Sequence, residues 1–217
     1  PHSPLSGWHP EQRQAQLWAI GNGTLTALLS ADGGGGLFWE QLAATRAEMD
    51  ATITHSGSFL YLRDEDDGTL IGATPEPLGD WPCEGRVTFE ASAVEFFRHH
   101  GELSIRTRIA IASDDAVEVR EVEIANEGDR TRRIRVFGCL EPVLEPEREA
   151  ARHPAFSKMF LRLRKLDELP GVLVTRAPRD ESKRPVLLFR VVAERECKPG
   201  LFEVDRALFL GRRGSFR

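Results

Sequence analysis

The chain has 217 residues, of which 41% are apolar and 29% charged, and its net charge is −5. That length suits one large all-β domain, or at most two small ones, with the composition of an ordinary globular protein. The acidic balance argues against a nucleic-acid binder, which needs a basic excess to neutralise phosphates.

The opening stretch "PHSPLSGWHPEQRQ" lacks the charged and apolar regions of a signal peptide. No apolar run approaches the length that spans a bilayer. The end, "GRRGSFR", is abrupt, and a piece of a longer protein is the expectation. The first strand reads at "TLTALLS", residues 24–30. Residues 33–36 are four glycines, followed by Leu37, Phe38 and Trp39. A Walker loop needs a Lys and a Ser or Thr after its glycines, and a dinucleotide fingerprint must open a helix. Neither context is present, so the expectation is a flexible turn into "LFWEQ", with glycines where φ is positive. "EQLAATRAEMDA", residues 40–51, puts Leu42, Thr45 and Met49 at helical spacing and stays open between helix and other structure.

Further strands read at "SFLYLRD", "TLIGAT", "RVTFEA" and "VEFFRH". Asp67-Gly68 between the first two is a two-residue hairpin signal. "DEDDG", residues 64–68, resembles the start of a calcium loop, but Pro75 stands where the bidentate Glu belongs, so it reads as a charged hairpin tip. His99 and His100 are adjacent in a strand and point to opposite faces, which excludes a shared metal ion. In "LSIRTRIAIA", Leu103, Ile105, Thr107, Ile109 and Ile111 share one face. In "VEVREVEIA" the apolar phase slips between Val119 and Val122, as a β-bulge would cause. "RRIRVFGCL" puts Ile134, Val136, Gly138 and Leu140 on one face, and "PEREAAR" is a short polar helix candidate. "GVLVTRA" and "PVLLFRVVAE" close the series. Many short strands with little helix mean an all-β sandwich or barrel.

Cys83, Cys139 and Cys197 have the spacing of neither a disulfide framework nor a zinc site. They read as reduced thiols, Cys139 as a core one, which implies a cytoplasmic compartment. No nucleophile-elbow motif occurs. Trp39 and Trp81 could stack on sugar rings or pack in the core.

Four segments in order, "NGTLTALLSADGGGG", "AATRAEMDATITHSGSFLYLRDEDDG", "HPAFSKMF" and "DRALFLGRRG", resemble the N-terminal β-sandwich of the cellobiose-phosphorylase-like (glycosyltransferase 36) family. That family includes cellobiose, chitobiose and β-1,2-oligoglucan phosphorylases, and related segments occur in cyclic β-1,2-glucan synthases, the side that "HPAFSKMF" resembles most. Thr45-Arg46-Ala47-Glu48 stands where the family commonly has Thr-Arg-Trp-Arg. The resemblance implies an antiparallel β-supersandwich of the galactose-mutarotase type, covering residues 1–217 as a single domain and followed in the parent by an (α/α)6 barrel that holds the catalytic acid. It implies no catalytic residue, metal or cofactor in this segment. Partners so implied are a weakly bound β-glucan oligosaccharide, the parent's catalytic barrel and a possible second copy in a homodimer, on the cytoplasmic side of the inner membrane as part of a larger protein. Trp39, Arg46 and Asp50, beside the glycine turn, are the candidate sugar contacts, because Arg and Asp offer directional partners to hydroxyls and Trp an apolar face. An independent carbohydrate-binding module, or a mutarotase-like epimerase using one of His55, His99, His100 or His153, are the rival readings. Phe156, Met159 and Phe160, three large apolar groups within one helical turn, are expected either in the core or on a surface that meets another domain.

Overall fold

The computed structural model describes residues 5–6, 17–47, 56–79, 85–166, 171–177, 184–194, 202–205 and 208–209. Among them the strands are β1 (Leu5–Ser6), β2 (Leu17–Gly21), β3 (Leu25–Ser30), β4 (Gly35–Trp39), β5 (Leu42–Thr45), β6 (Ser58–Asp64), β7 (Leu70–Gly72), β8 (Gly85–Phe89), β9 (Ala93–His100), β10 (Leu103–Ile111), β11 (Glu118–Asn126), β12 (Ile134–Leu140), β13 (Pro142–Glu145), β14 (Leu161–Leu166), β15 (Gly171–Arg176) and β16 (Val186–Arg190). Two short helices, α1 (Glu147–Arg152) and α2 (Pro154–Lys158), lie between β13 and β14.

The sheets run β1-β8-β9-β10-β11, β13-β5-β4-β3-β2, β12-β6-β7 and β14-β15-β16, and their ladders are antiparallel. The alternation that marks a half-buried strand is what builds this all-β sandwich. β10 is its spine. Its inward side chains serve two cores: Ile109 joins Leu25, Leu29, Val94 and Phe96 in the larger, while Leu103 and Ile105 meet Leu62 and Ile71 in the smaller. Thr107, between them on the same face, donates its hydroxyl to Ala73 O at 2.8 Å. Buried Arg98, on the neighbouring strand, donates to Gly72 O and Thr74 O. Both contacts tie the β6–β7 hairpin to the large sheet without leaving those carbonyls unpaired. Asn22 secures the opposite end: its amide donates to Ala112 O and Asp115 O while its Oδ1 accepts from Thr24 and Leu25 N–H.

Several expectations are corrected. No bulge interrupts β11, whose register with β10 is continuous from Asn126 to Glu118. The phase slip arises because the inward position is held by Arg120, paired with Glu118 at 2.7 Å and donating to Ser58 O, while Val119 points outward. The β6–β7 hairpin forms, but residues 65–69 connect it rather than two, with Gly68 at φ +80. The ambiguous segment supplies β5 in its first half; residues 48–51 lie outside the described ones. Pairing with β4 and β13 makes it a strand, and the buried Thr45 hydroxyl accepts the Leu37 N–H at 3.0 Å. Cys139 is half-buried rather than a core thiol. Cys83 and Cys197 lie outside the described residues. Val136 is exposed, so only part of the expected β12 face is covered.

The glycine turn is not loose. Residues 33–36 are all buried. Gly33 N–H donates to Ser30 O, Gly34 N–H to the Ser30 hydroxyl and Gly35 N–H to Ser56 O. A Cβ on Gly35 would lie 1.9 Å from Leu28 O, and one on Gly33 would lie 2.4 Å from Thr74 Cβ. The glycines therefore serve close packing and positive φ, +91 at Gly33 and +141 at Gly35.

Candidate functional site

The β4–β5 hairpin turns through Glu40 and Gln41. Glu40 is held at φ +51, a conformation unfavourable for a residue with a Cβ, and its N–H donates to Thr24 O at 2.8 Å. Opposite this turn, Pro146 leads into α1, whose side chains are none of them buried. Between the two lies a cleft of about 1090 Å³. Trp39 and Leu42, a cross-strand pair, provide its apolar wall; Glu40 and Gln41 flank them, and Glu147, Arg148, Glu149 and Arg152 face them from α1. The indole of Trp39 is half-buried and packs on the larger core, which fixes its ring.

Of the three expected sugar contacts, the structure places Trp39 in this cleft. Arg46 is not among the described lining residues; its guanidinium pairs with Glu141 at 3.4 Å. Lys158 shares the same carboxylate at 3.0 Å. Asp50 lies outside the described residues. Sequence reasoning missed Glu40, Gln41 and the α1 side chains. The only available signal was the polar character of "PEREAAR", which does not say where the helix sits.

The second feature is α2. Phe156 is 53% exposed and Met159 77% exposed. Phe156 meets the half-buried Phe160 edge-on at 5.0 Å between centroids. Beneath them is a buried polar knot. Glu145 accepts from both the Ser157 hydroxyl and the Arg176 guanidinium. Arg176 also donates to Val143 O at 3.1 Å and Ser157 O at 3.0 Å, and lies over the Phe160 ring. The chain reaches Glu145 through Leu144 at φ +57 and a register shift in β13. Ser157 of "HPAFSKMF" is thus an anchor, and Phe156 and Met159 are its outward face.

The remaining candidates resolve structurally. The "DEDDG" turn is knitted to residues 130–135: buried Asp64 takes Arg130 and Arg132, and Asp66 takes Arg133. The Thr69 hydroxyl and N–H, donating to Asp67, hold its carboxyl below the ordinary 3.8. Among the described residues no group of three or more His, Cys, Asp or Glu side chains could hold a metal ion. No described helix is long and apolar enough to cross a membrane. His99 lies 3.9 Å from Glu127 and stacks edge-on with Phe97. The glycine amides, already bonded within the chain, offer no phosphate cradle.

Comparison with known proteins adds a family. A model described as "Glycosyl hydrolase 94, supersandwich domain" matches residues 8–217. The chain is 31% identical over 209 residues to "Cyclic beta-(1,2)-glucan synthase NdvB" of Rhizobium meliloti (strain 1021). That alignment covers 94% of this chain and 7% of the relative's length.

Proposed function

This chain belongs to the glycosyl hydrolase 94 supersandwich family, and we propose that it is a non-catalytic domain of a β-glucan-processing enzyme, packing on a helical catalytic barrel through α2. Family membership makes it a domain of a carbohydrate-active enzyme. The observation that carries the packing role is the exposed Phe156 and Met159 side chains, seated by the buried Glu145–Arg176–Ser157 knot. Large apolar groups left exposed side by side on an anchored helical turn favour an interface. A buried ion pair is an expensive way to hold an idle surface helix.

The barrel supplies the chemistry in this reading. Phosphorolysis with inversion needs a protonated carboxyl at the glycosidic oxygen and phosphate at the opposite face of the anomeric carbon. The sandwich borders that site and steadies it. The test is the double substitution Phe156→Ala/Met159→Ala in the polypeptide as its gene encodes it. Both groups are exposed, so the sandwich should keep its thermal midpoint, while β-glucan turnover falls and proteases gain access to α2. Unchanged turnover and unchanged proteolysis would reject the docking role.

A further inference from the structure

We infer that the cleft between the β4–β5 turn and α1 binds an uncharged, extended oligosaccharide, with the Trp39 indole as its platform. The inference rests on the reading that this domain serves a glucan-processing enzyme, and adds to it a binding site apart from α2. Four observations point the same way.

The first is size and shape. At about 1090 Å³ the cleft is just larger than most small-ligand sites, roughly 300–1,000 Å³, and suits a chain of rings better than one ring. The second is the wall chemistry. A pyranose has an apolar C–H face and a rim of hydroxyls; Trp39 and Leu42 match the first, and the carboxylates, amide and guanidinia match the second.

The third is charge. Glu40, Glu147 and Glu149 stand against Arg148 and Arg152, so neither sign prevails strongly. Such a wall has no excess of positive charge to draw in an anion, but it offers both donors and acceptors to neutral hydroxyls. The fourth is the state of the two walls. α1 buries none of its side chains and so contributes little to the core, while Glu40 is kept in a left-handed conformation that glycine would adopt more readily. A two-residue hairpin turn requires that positive φ, and the chain meets it with a carboxylate at the cleft rather than with glycine.

The experiment titrates this chain with glucose, a cello-tetraose and a β-1,2-linked gluco-tetraose, following the Trp39 indole N–H by NMR. Either tetraose should shift that signal, with glucose binding more weakly. Trp39→Ala should weaken binding about tenfold, and raising salt to about 0.5 M should leave the affinity within about twofold, as for a neutral ligand. Arg46→Ala, outside the cleft, should leave it unchanged. Because Trp39 also packs on the core, Glu40→Gly is the second variant: it should raise the thermal midpoint by relieving the strained φ, yet weaken binding several-fold.

Binding that shifts residues elsewhere and survives both Trp39→Ala and Glu40→Gly overturns the cleft while leaving the glucan reading intact. Binding by neither tetraose also overturns the cleft, and the glucan-enzyme reading then stands or falls on the α2 test. Affinity that collapses with salt overturns the uncharged ligand class.

Discussion

Arg176→Met should be among the most damaging single changes in the chain. Arg176 and Glu145 are 8% and 4% exposed, so solvent screens their attraction little. Removing the guanidinium leaves the buried Glu145 carboxylate without its counter-charge and takes one donor each from Val143 O and Ser157 O. Breaking a buried pair from one side costs about 3–5 kcal/mol, a large part of the roughly 5–15 kcal/mol that holds a domain together. At about 2–4 °C per kcal/mol for a domain of this size, the midpoint should fall by about 6–20 °C. Calorimetry of the chain measures it directly. The double variant Glu145→Leu/Arg176→Met removes both charges and should be less destabilised than Arg176→Met alone. A single-variant loss below about 1 kcal/mol, or a double variant worse than the sum of both singles, would refute the view that this knot seats α2.

The glycine turn separates packing from looseness: Gly35→Ala, with its Cβ forced to 1.9 Å from Leu28 O at φ +141, should unfold the chain or cost more than about 3 kcal/mol. Gly34→Ala, with no contact under 3.3 Å, should cost much less; equal tolerance in chemical denaturation would show the turn to be loose after all. Tyr61 is the chain's single tyrosine, and burial, then the neighbouring Cys139 and Glu76, pushes its phenol well above its ordinary 10.0. The stability it contributes is full below pH 10.0 and is lost as the pH rises beyond it, because the unfolded chain ionises there and the folded one does not. Ultraviolet titration should therefore show phenolate appearing together with loss of the β-sheet circular dichroism; phenolate formed near pH 10 in a folded chain would contradict this.

Much of the sandwich is legible in the sequence, and the reason is visible in β10. Both of its ladders are paired and its inner face meets two cores, so Leu103, Ile105 and Ile109 had to alternate with solvated arginines. β5 was harder because its strand state comes from pairing with β4 and with the distant β13, while local composition favours helix. The β11 phase slip misled because a half-buried Arg120–Glu118 pair can occupy an inward position that periodicity assigns to an apolar residue. The resemblance was carried by residues with structural work to do: Asn22 bridges two turns, the glycines pack, and Ser157 anchors α2. The cleft was legible only through Trp39. Its second wall, α1, comes from more than a hundred positions along the chain, and no local pattern says that "PEREAAR" faces the β4–β5 turn.

This domain is proposed to serve a glucan-processing enzyme without itself transforming the glucan. The most direct measurement incubates the chain with β-1,2- and β-1,4-linked gluco-oligosaccharides and inorganic phosphate, assaying glucose 1-phosphate and oligosaccharide length. Every oligosaccharide should be recovered unchanged, at concentrations that shift the Trp39 indole signal. Phosphate-dependent release of glucose 1-phosphate, abolished by one carboxylate substitution within this chain, would contradict it.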